Sequence, residues 1–243
     1  MEKKIIYYDK LFPIYDNNRE VLNKLKIDKD SVSYISSPIY AEKITKIILN
    51  HTKTNKINIT DCTAGCGGDT ISFLNKFKKV YSIEKNLVRF NNLFNNIKVY
   101  NLTRNSRIYC GGFFDIIKTI EDHDIIYIDP PWGGKNYRKH RALKLNIDNI
   151  PLEEIIIDIF DETKMKKIPN YVVLKLPSNY DLKNLYNKIN TKSKIYLYNL
   201  NKMLILVLEL NKENKDYLTS SSLVNPSSDS SPNSSIPEFS EGL

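Results

Sequence analysis

The chain has 243 residues, enough for one sizeable core with an extension or tail, and its 36 Lys and Arg against 28 Asp and Glu leave a net charge of +8. A basic balance permits a nucleic-acid partner without establishing one. No apolar run approaches the ~18 residues of a membrane span, and Cys62, Cys66 and Cys110 sit beside apolar runs, too few and too scattered for a structural zinc.

Residues 1–33 are mixed and charged, with a helical pattern over 19–25 that puts Val21, Leu22 and Leu25 on one face. Together with the segment up to residue 50 they read as a helical extension, and M-E-K-K-I-I-Y-Y-D-K at the start holds no apolar core of a secretion signal. Reduced, buried thiols in an intracellular protein are therefore expected. Ser36-Ser37-Pro38 reads as a helix start, with Ser37 at the cap and Pro38 at the first helical position. That helix runs to about residue 49, with Ile39, Ile44, Ile47 and Ile48 as core candidates.

A strand over 57–61 ends in Asp61 and is followed by C-T-A-G-C-G-G-D-T. Gly65, Gly67 and Gly68 allow a tight turn and a close approach of backbone to ligand, and Asp69 or Thr70 opens the next helix. The strand over 80–83 ends in Glu84, 23 residues after Asp61, where an acid grips a ribose diol. Strand, glycine loop, helix, strand and acid form a complete nucleoside-site order. A helix over 87–96 leads to a strand over 107–110 and then Gly111-Gly112-Phe113, where Phe113 suits an adenine pocket and equally suits the core.

D-I-I-Y-I-D-P-P-W-G-G follows, from Asp124 to Gly134. Residues 125–129 read as a buried strand ending in Asp129, at the carboxyl end where open α/β sheets place their ligands. Pro130 and Pro131 stiffen the main chain and remove two donors, leaving its carbonyls free to accept. A carboxylate beside a free carbonyl suits an exocyclic amine. Trp132 offers a flat face to a base, and Gly133-Gly134 let the chain turn away. The plainer alternative is an ordinary strand exit with Trp132 as a core aromatic. The basic run over 135–144, interleaved by Tyr137, is either a solvated face or a phosphate contact.

A helix over 152–160 precedes a strand over 171–176, then Pro177-Ser178-Asn179 and a short helix over 182–189. Strands over 194–198 and 204–210, joined by a hairpin-length connection, should pair antiparallel. Residues 51–211 thus predict a doubly wound, mostly parallel α/β sheet of seven strands with an antiparallel closing hairpin. From Thr219 the composition turns to Ser, Pro and Asn, and residues 212–243 read as a disordered tail.

A seven-stranded sheet with a glycine loop after its first strand and an acid after its second resembles the class I, Rossmann-like S-adenosylmethionine-dependent methyltransferases. D-P-P-aromatic after the fourth strand resembles those members that methylate exocyclic amines of bases. The extended D-P-P-W-G-G followed by Tyr137 is similar to the cap-specific guanine-N2 methyltransferases, the trimethylguanosine synthase family. D-C-T-A-G-C-G-G-D-T, Y-C-G-G-F, L-P-S-N with N-L-N-K, and the leading Y-Y-D-K-L-F agree, over roughly residues 5–210; P-P-W-G-G is the specific motif. The resemblance implies S-adenosyl-L-methionine as cofactor, with Asp61, Gly65, Gly67, Glu84, Phe113 and Ser37 around it. It implies 7-methylguanosine-capped RNA or a cap analogue as partner, with Asp129, Pro130 and Trp132 at the reacting amine and Trp132 stacked on the 7-methylguanine. Tyr137, Lys135, Arg138, Asn179 and Lys202 then face the substrate, and residues 1–50 complete its site. Asp129 stands where metazoan members commonly carry serine, and Gly112 where an acid is common. Ser178 replaces an expected arginine, so one phosphate contact is either missing or supplied by Lys175 or Lys202. A metal-free monomer away from membranes is implied, cytoplasmic if viral and nuclear if cellular; the Asn, Lys and Ile bias suits a large DNA virus or a protist. Two alternatives stay open: a guanine-N2 or adenine-N6 methyltransferase of structured RNA or DNA, and a catalytically silent cap- or RNA-binding subunit.

Overall fold

The computed structural model describes residues 8–211, without the side chain of Lys135; the tail expected over 212–243 lies outside the described residues. Short β-branched runs make the middle of the sheet. β1 (Asn58–Asp61) and β4 (Ile125–Ile128) are buried at every position, as parallel strands covered on both faces must be. With β2 (Lys79–Glu84), β3 (Ser106–Cys110), β7 (Tyr171–Pro177), β8 (Ser193–Asn199) and β9 (Met203–Leu210) they form one sheet in the order β3-β2-β1-β4-β7-β9-β8. All neighbours are parallel except β9, which is antiparallel to both β7 and β8. The expected sheet and its closing hairpin are both present.

Alternation along the strands feeds two cores. Ile126, Ile128 and Leu174 face α4 (Phe113–Ile117), α5 (Leu152–Ile159) and α6 (Leu182–Ile189). Ile125, Tyr127 and Val173 face α1 (Pro38–Thr52), α2 (Gly68–Leu74) and α3 (Leu87–Val99). The chain winds outward through β2 and β3, then returns to lay β4 on the other side of β1. That reversal between β1 and β4 is where such sheets open a ligand crevice.

The segment before α1 packs through Phe12, Leu22 and Leu25 onto Ile71 of α2. Asn96 of α3 ties it down: its side chain accepts from Lys26 N at 2.8 Å and donates to the carbonyls of Lys26 at 2.8 Å and Cys66 at 2.9 Å. A Cβ on Gly68 would lie 2.7 Å from Ile35 Cγ1 and 3.0 Å from the Ser36 backbone, so only glycine lets the extension lie across the first turn of α2.

Several expectations need correction. The pattern over 19–25 is a 3₁₀ turn, Arg19–Lys24. Ser37 is the N-cap of α1 with Pro38 at its first position, yet its side chain makes no capping bond. Ile39 is 68% exposed, because it lies five positions before Ile44, about 140° around the helix. Cys110 is exposed, ending the edge strand β3, while Cys62 and Cys66 are buried as expected. The sequence reading omitted α4 and the small antiparallel pair β5 (Asn146–Ile147) and β6 (Ile150–Pro151). The turn between those two strands has positive φ at Asp148 (51°) and Asn149 (66°), a pairing that suits a tight hairpin.

Candidate active site

Asp61 and Asp129 leave neighbouring strands on the same edge; in register, Asp61 lies opposite Tyr127, two residues before Asp129. The loop after β1 folds back onto its neighbours: Cys62 N donates to Tyr127 O at 2.9 Å and Ala64 N to Ile83 O at 3.0 Å. Gly65, at φ +55° with nothing within 4 Å of a would-be Cβ, leaves open space beside the loop. Its N–H donates to Glu84 Oε2 at 2.9 Å, and Asn86 N donates to Glu84 Oε1 at 2.7 Å. Each carboxylate oxygen keeps an acceptor site beyond these bonds. Asn86 in turn caps α3, accepting from Val88 N and Arg89 N. The sequence pair Gly65 and Glu84 is therefore one hydrogen-bonded unit.

Asp61 is 1% exposed. It accepts from Thr70 Oγ1 at 2.6 Å and Thr63 N at 3.3 Å. Burial, with the charges of Asp69 and Asp129 added, pushes its carboxyl up to about 7, against the pull of those two hydrogen bonds.

Asp129 is fixed differently. Its backbone N donates to Thr63 Oγ1 at 2.9 Å, and its Oδ2 meets Lys175 Nζ of β7 at 2.6 Å. Lys175 is 3% exposed; its ammonium also donates to Ser36 Oγ at 2.6 Å and lies 3.7 Å from Asp69 Oδ2. Ser36 Oγ and Tyr127 OH both donate to Asp69 Oδ2, at 2.6 and 2.9 Å. Burial alone would lower the Lys175 ammonium, but Asp129 and Asp69 outweigh it and hold the group charged. Burial pushes the Asp129 carboxyl up to about 6, with Lys175 opposing and Asp69 assisting. The Asp129 side chain stays 20% exposed, so its charge is held by the protein and still reachable.

Trp132 is half-buried, its ring packed against the core on one side and lining a cavity of about 310 Å³ on the other. Gly133, Tyr137, His140, Lys144 and Asn146 line the same cavity. Tyr137 meets the indole edge-on, with centroids 5.3 Å apart at 74°. The indole Nε1–H is buried and lies toward the Asp129 carboxylate, whose ionised form it favours, with no closed hydrogen bond to any other described residue. Gly133 and Gly134, at φ 85° and 66°, turn the chain into a 3₁₀ helix over Gly134–Lys139.

Of the other expected residues, Arg138 is exposed and folds over Tyr137, Nε to OH 3.2 Å. Asn179 braces this loop, donating to the carbonyls of Tyr137 at 2.8 Å and His140 at 2.7 Å. Lys202 is exposed in the turn between β8 and β9, on the same edge, because Met203 pairs with Pro177. Pro130 is buried and Phe113 is 5% exposed, its ring packed in the core at the start of α4. Ser37 is half-buried beside Ser36, and Ser36 is the serine that joins the charged cluster. The phosphate contact considered for Lys175 does not survive: its ammonium is buried and shared between Asp129 and Ser36. Sequence reasoning thus missed the roles of Ser36, Thr63, Asp69, Tyr127 and Lys175. One signal was available, since a lysine inside Y-V-V-L-K-L-P is a buried charge that demands a partner.

A family model described as RNA cap guanine-N2 methyltransferase matches residues 56–219. The chain belongs to this family. It is 31% identical over 222 residues to L320, an uncharacterized protein of Acanthamoeba polyphaga mimivirus, covering 82% of this chain and 84% of that one. It is 30% identical over 141 residues to the trimethylguanosine synthase of Schizosaccharomyces pombe, covering 55% of this chain and 56% of that protein. Against the trimethylguanosine synthase of Saccharomyces cerevisiae the figures are 26% over 187 residues, 72% and 57%. The chain therefore spans little more than half the length of these two yeast relatives. Among solved structures, a protein of Porphyromonas gingivalis assigned as a methyltransferase superposes with a TM-score of 0.56 at 19% identity, covering 83% of this chain and 52% of that one. A protein of Pyrococcus horikoshii assigned as an RNA methyltransferase gives 0.53 at 14%, covering 87% and 98%. These likenesses show the shared fold.

As a member of the cap guanine-N2 methyltransferase family, the chain is an S-adenosylmethionine-dependent enzyme. Its residues fit that cofactor. The Glu84 carboxylate, pinned by two backbone N–H groups and with acceptor sites to spare, suits a ribose diol. The open side of Gly65 is space that any larger residue would fill.

Proposed function

We propose that the chain methylates the exocyclic N2 of a 7-methylguanosine RNA cap. The observation that carries this reading is the Asp129 carboxylate, held charged by Lys175 at 2.6 Å and partly open, just ahead in the chain of the half-buried Trp132 ring on its cavity. S-adenosylmethionine supplies an electrophilic methyl on a sulfonium. Guanine N2 is a poor nucleophile, because its lone pair is delocalised into the ring. Asp129 and the Pro130 carbonyl accept its N–H bonds, enriching the nitrogen and aiming it; the gain is alignment and preorganised charge. A 7-methylated guanine is cationic, and a cation stacked on Trp gains about 0.5–2 kcal/mol, a physical reason for recognising the methylated cap. Tyr137, Arg138, Lys135 and Lys202 are assigned to the cap phosphates, and the extension up to Ser37 to the wall of the site. The enzyme acts as a monomer within the cell on capped RNA.

The test is labelled S-adenosylmethionine offered with GpppG, its 7-methyl form and uncapped RNA. Label on N2 of the 7-methyl form alone is expected. Label on uncapped RNA would assign the chain to internal bases, and cofactor binding without transfer to any acceptor would make it a silent subunit.

A further inference from the structure

The edge of the sheet opposite the active site carries a second cavity, of about 270 Å³, lined by Lys78, Lys79, Arg104, Asn105, Ser106 and Arg107. It lies where β2 and β3 begin, Val80 opposite Ser106. The length of β2, about 16 Å at ~3.3 Å per residue, separates it from Glu84. Lys78, Arg104 and Arg107 make no side-chain hydrogen bond or ion pair among the described residues, and they carry no neutralising partner. Lys79 lies over the Tyr81 ring at 4.7 Å and reaches the Asp122 carboxylate only at 4.0 Å. Ser106 Oγ is buried with no partner, a hydroxyl donor without an acceptor. The neighbouring loop adds exposed Lys53 and Lys56, tied to Lys78 by its N–H bonds to Asn55 O at 3.0 Å and Ile57 O at 3.1 Å.

Like charges converging on one concavity repel each other unless an anion sits among them. We propose that this cavity is a phosphodiester-binding site for the body of the RNA whose 5′ end occupies the active site. The choice of RNA as the occupant rests on the cap-methyltransferase reading; the preference for phosphate rests on the cavity alone. The strand length between the two edges means that a capped dinucleotide at the Trp132 cavity does not reach it, whereas a longer transcript does.

The experiment compares the full chain with Arg104→Ala/Arg107→Ala, and with Lys78→Ala as a second variant whose ammonium makes no hydrogen bond or ion pair among the described residues. Anisotropy of a labelled, uncapped single-stranded RNA should show several-fold weaker binding by the variants. The salt dependence of binding should flatten by about 0.7 for each phosphate that the variant no longer neutralises. The KM for a long capped RNA should rise by the same factor, with methylation of the 7-methylated cap dinucleotide unchanged. Unchanged RNA affinity, or an equal loss on the dinucleotide, overturns the proposal. So does stabilisation of the wild-type chain by inorganic phosphate with no effect of the variants on RNA, which assigns the cavity to a small anion. If the wild-type enzyme methylates no cap at all, the anisotropy arm still reads this site, so the two failures are distinguishable.

Discussion

Two loops leave the middle of the sheet on the same edge, and each starts with an aspartate. After β1, Asp61 is sealed in, paired only with hydroxyl and backbone donors, and its carboxyl is pushed up to about 7. After β4, Asp129 meets a buried ammonium, sits at about 6, and keeps a fifth of its side chain exposed. The residue type is the same; the partner differs. Asp61 braces the glycine loop toward α2, whereas Asp129 is an acceptor presented outward. Neighbours seal one carboxylate into the fold and leave the other open to the substrate amine of the proposed reaction, and the next experiments break or sharpen that division.

The largest effect is expected from Lys175→Met. It leaves the buried Asp69 and the part-exposed Asp129 without their cation, and removing one partner of a buried pair costs about 3–5 kcal/mol. Chemical denaturation should show that loss, with turnover falling alongside. A Lys175→Met protein of wild-type stability would mean that the cluster holds no net charge.

Glu84→Ala belongs to the β1–β2 side and should weaken S-adenosylmethionine binding by about 2–4 kcal/mol as its charge-assisted bonds disappear. Calorimetry reads it directly, and affinity for a cap dinucleotide should hold. Trp132→Ala is its mirror on the β4 side: about 1–3 kcal/mol of base stacking goes, cofactor affinity stays, and cap methylation falls below detection as alignment fails. Trp132→Phe should recover part. If instead both ligands bind poorly and the melting temperature drops, Trp132 serves only the core.

The smallest effect concerns pH. Both aspartates hold protons in the fold that the unfolded chain, with carboxyls near 3.8, has already released. Their contribution to stability is therefore complete below about pH 4 and is lost as pH rises through about 6 and then 7. Asp61→Asn should remove the upper part of that decline in thermal melts across the window; an unchanged slope would place its carboxyl at its ordinary value.

Much of this division was legible in the sequence. Asp61, the glycines and Glu84 announce themselves because backbone geometry needs them at fixed offsets. D-P-P-W-G-G does so because prolines and glycines punctuate the chain visibly. The partners that set the two aspartates apart were not legible, since Ser36, Asp69, Tyr127 and Lys175 come from four separate elements and meet only through the sheet order. Ile39 misled for the opposite reason: an apolar residue near a periodic face is not on it. The basic cavity between the starts of β2 and β3 combines two short stretches that look like ordinary solvated charge when read singly.

The most direct test of the account is turnover of a 7-methylated cap dinucleotide against pH, for the wild-type chain and Asp129→Asn. The wild type should lose activity as pH falls through about 6, where Asp129 takes up its proton. Asp129→Asn should be about a hundredfold slower and flat across the same range, with cofactor affinity retained. The same acid limb in both proteins, or undiminished turnover by the variant, would show that Asp129 is not the acceptor at the reacting amine.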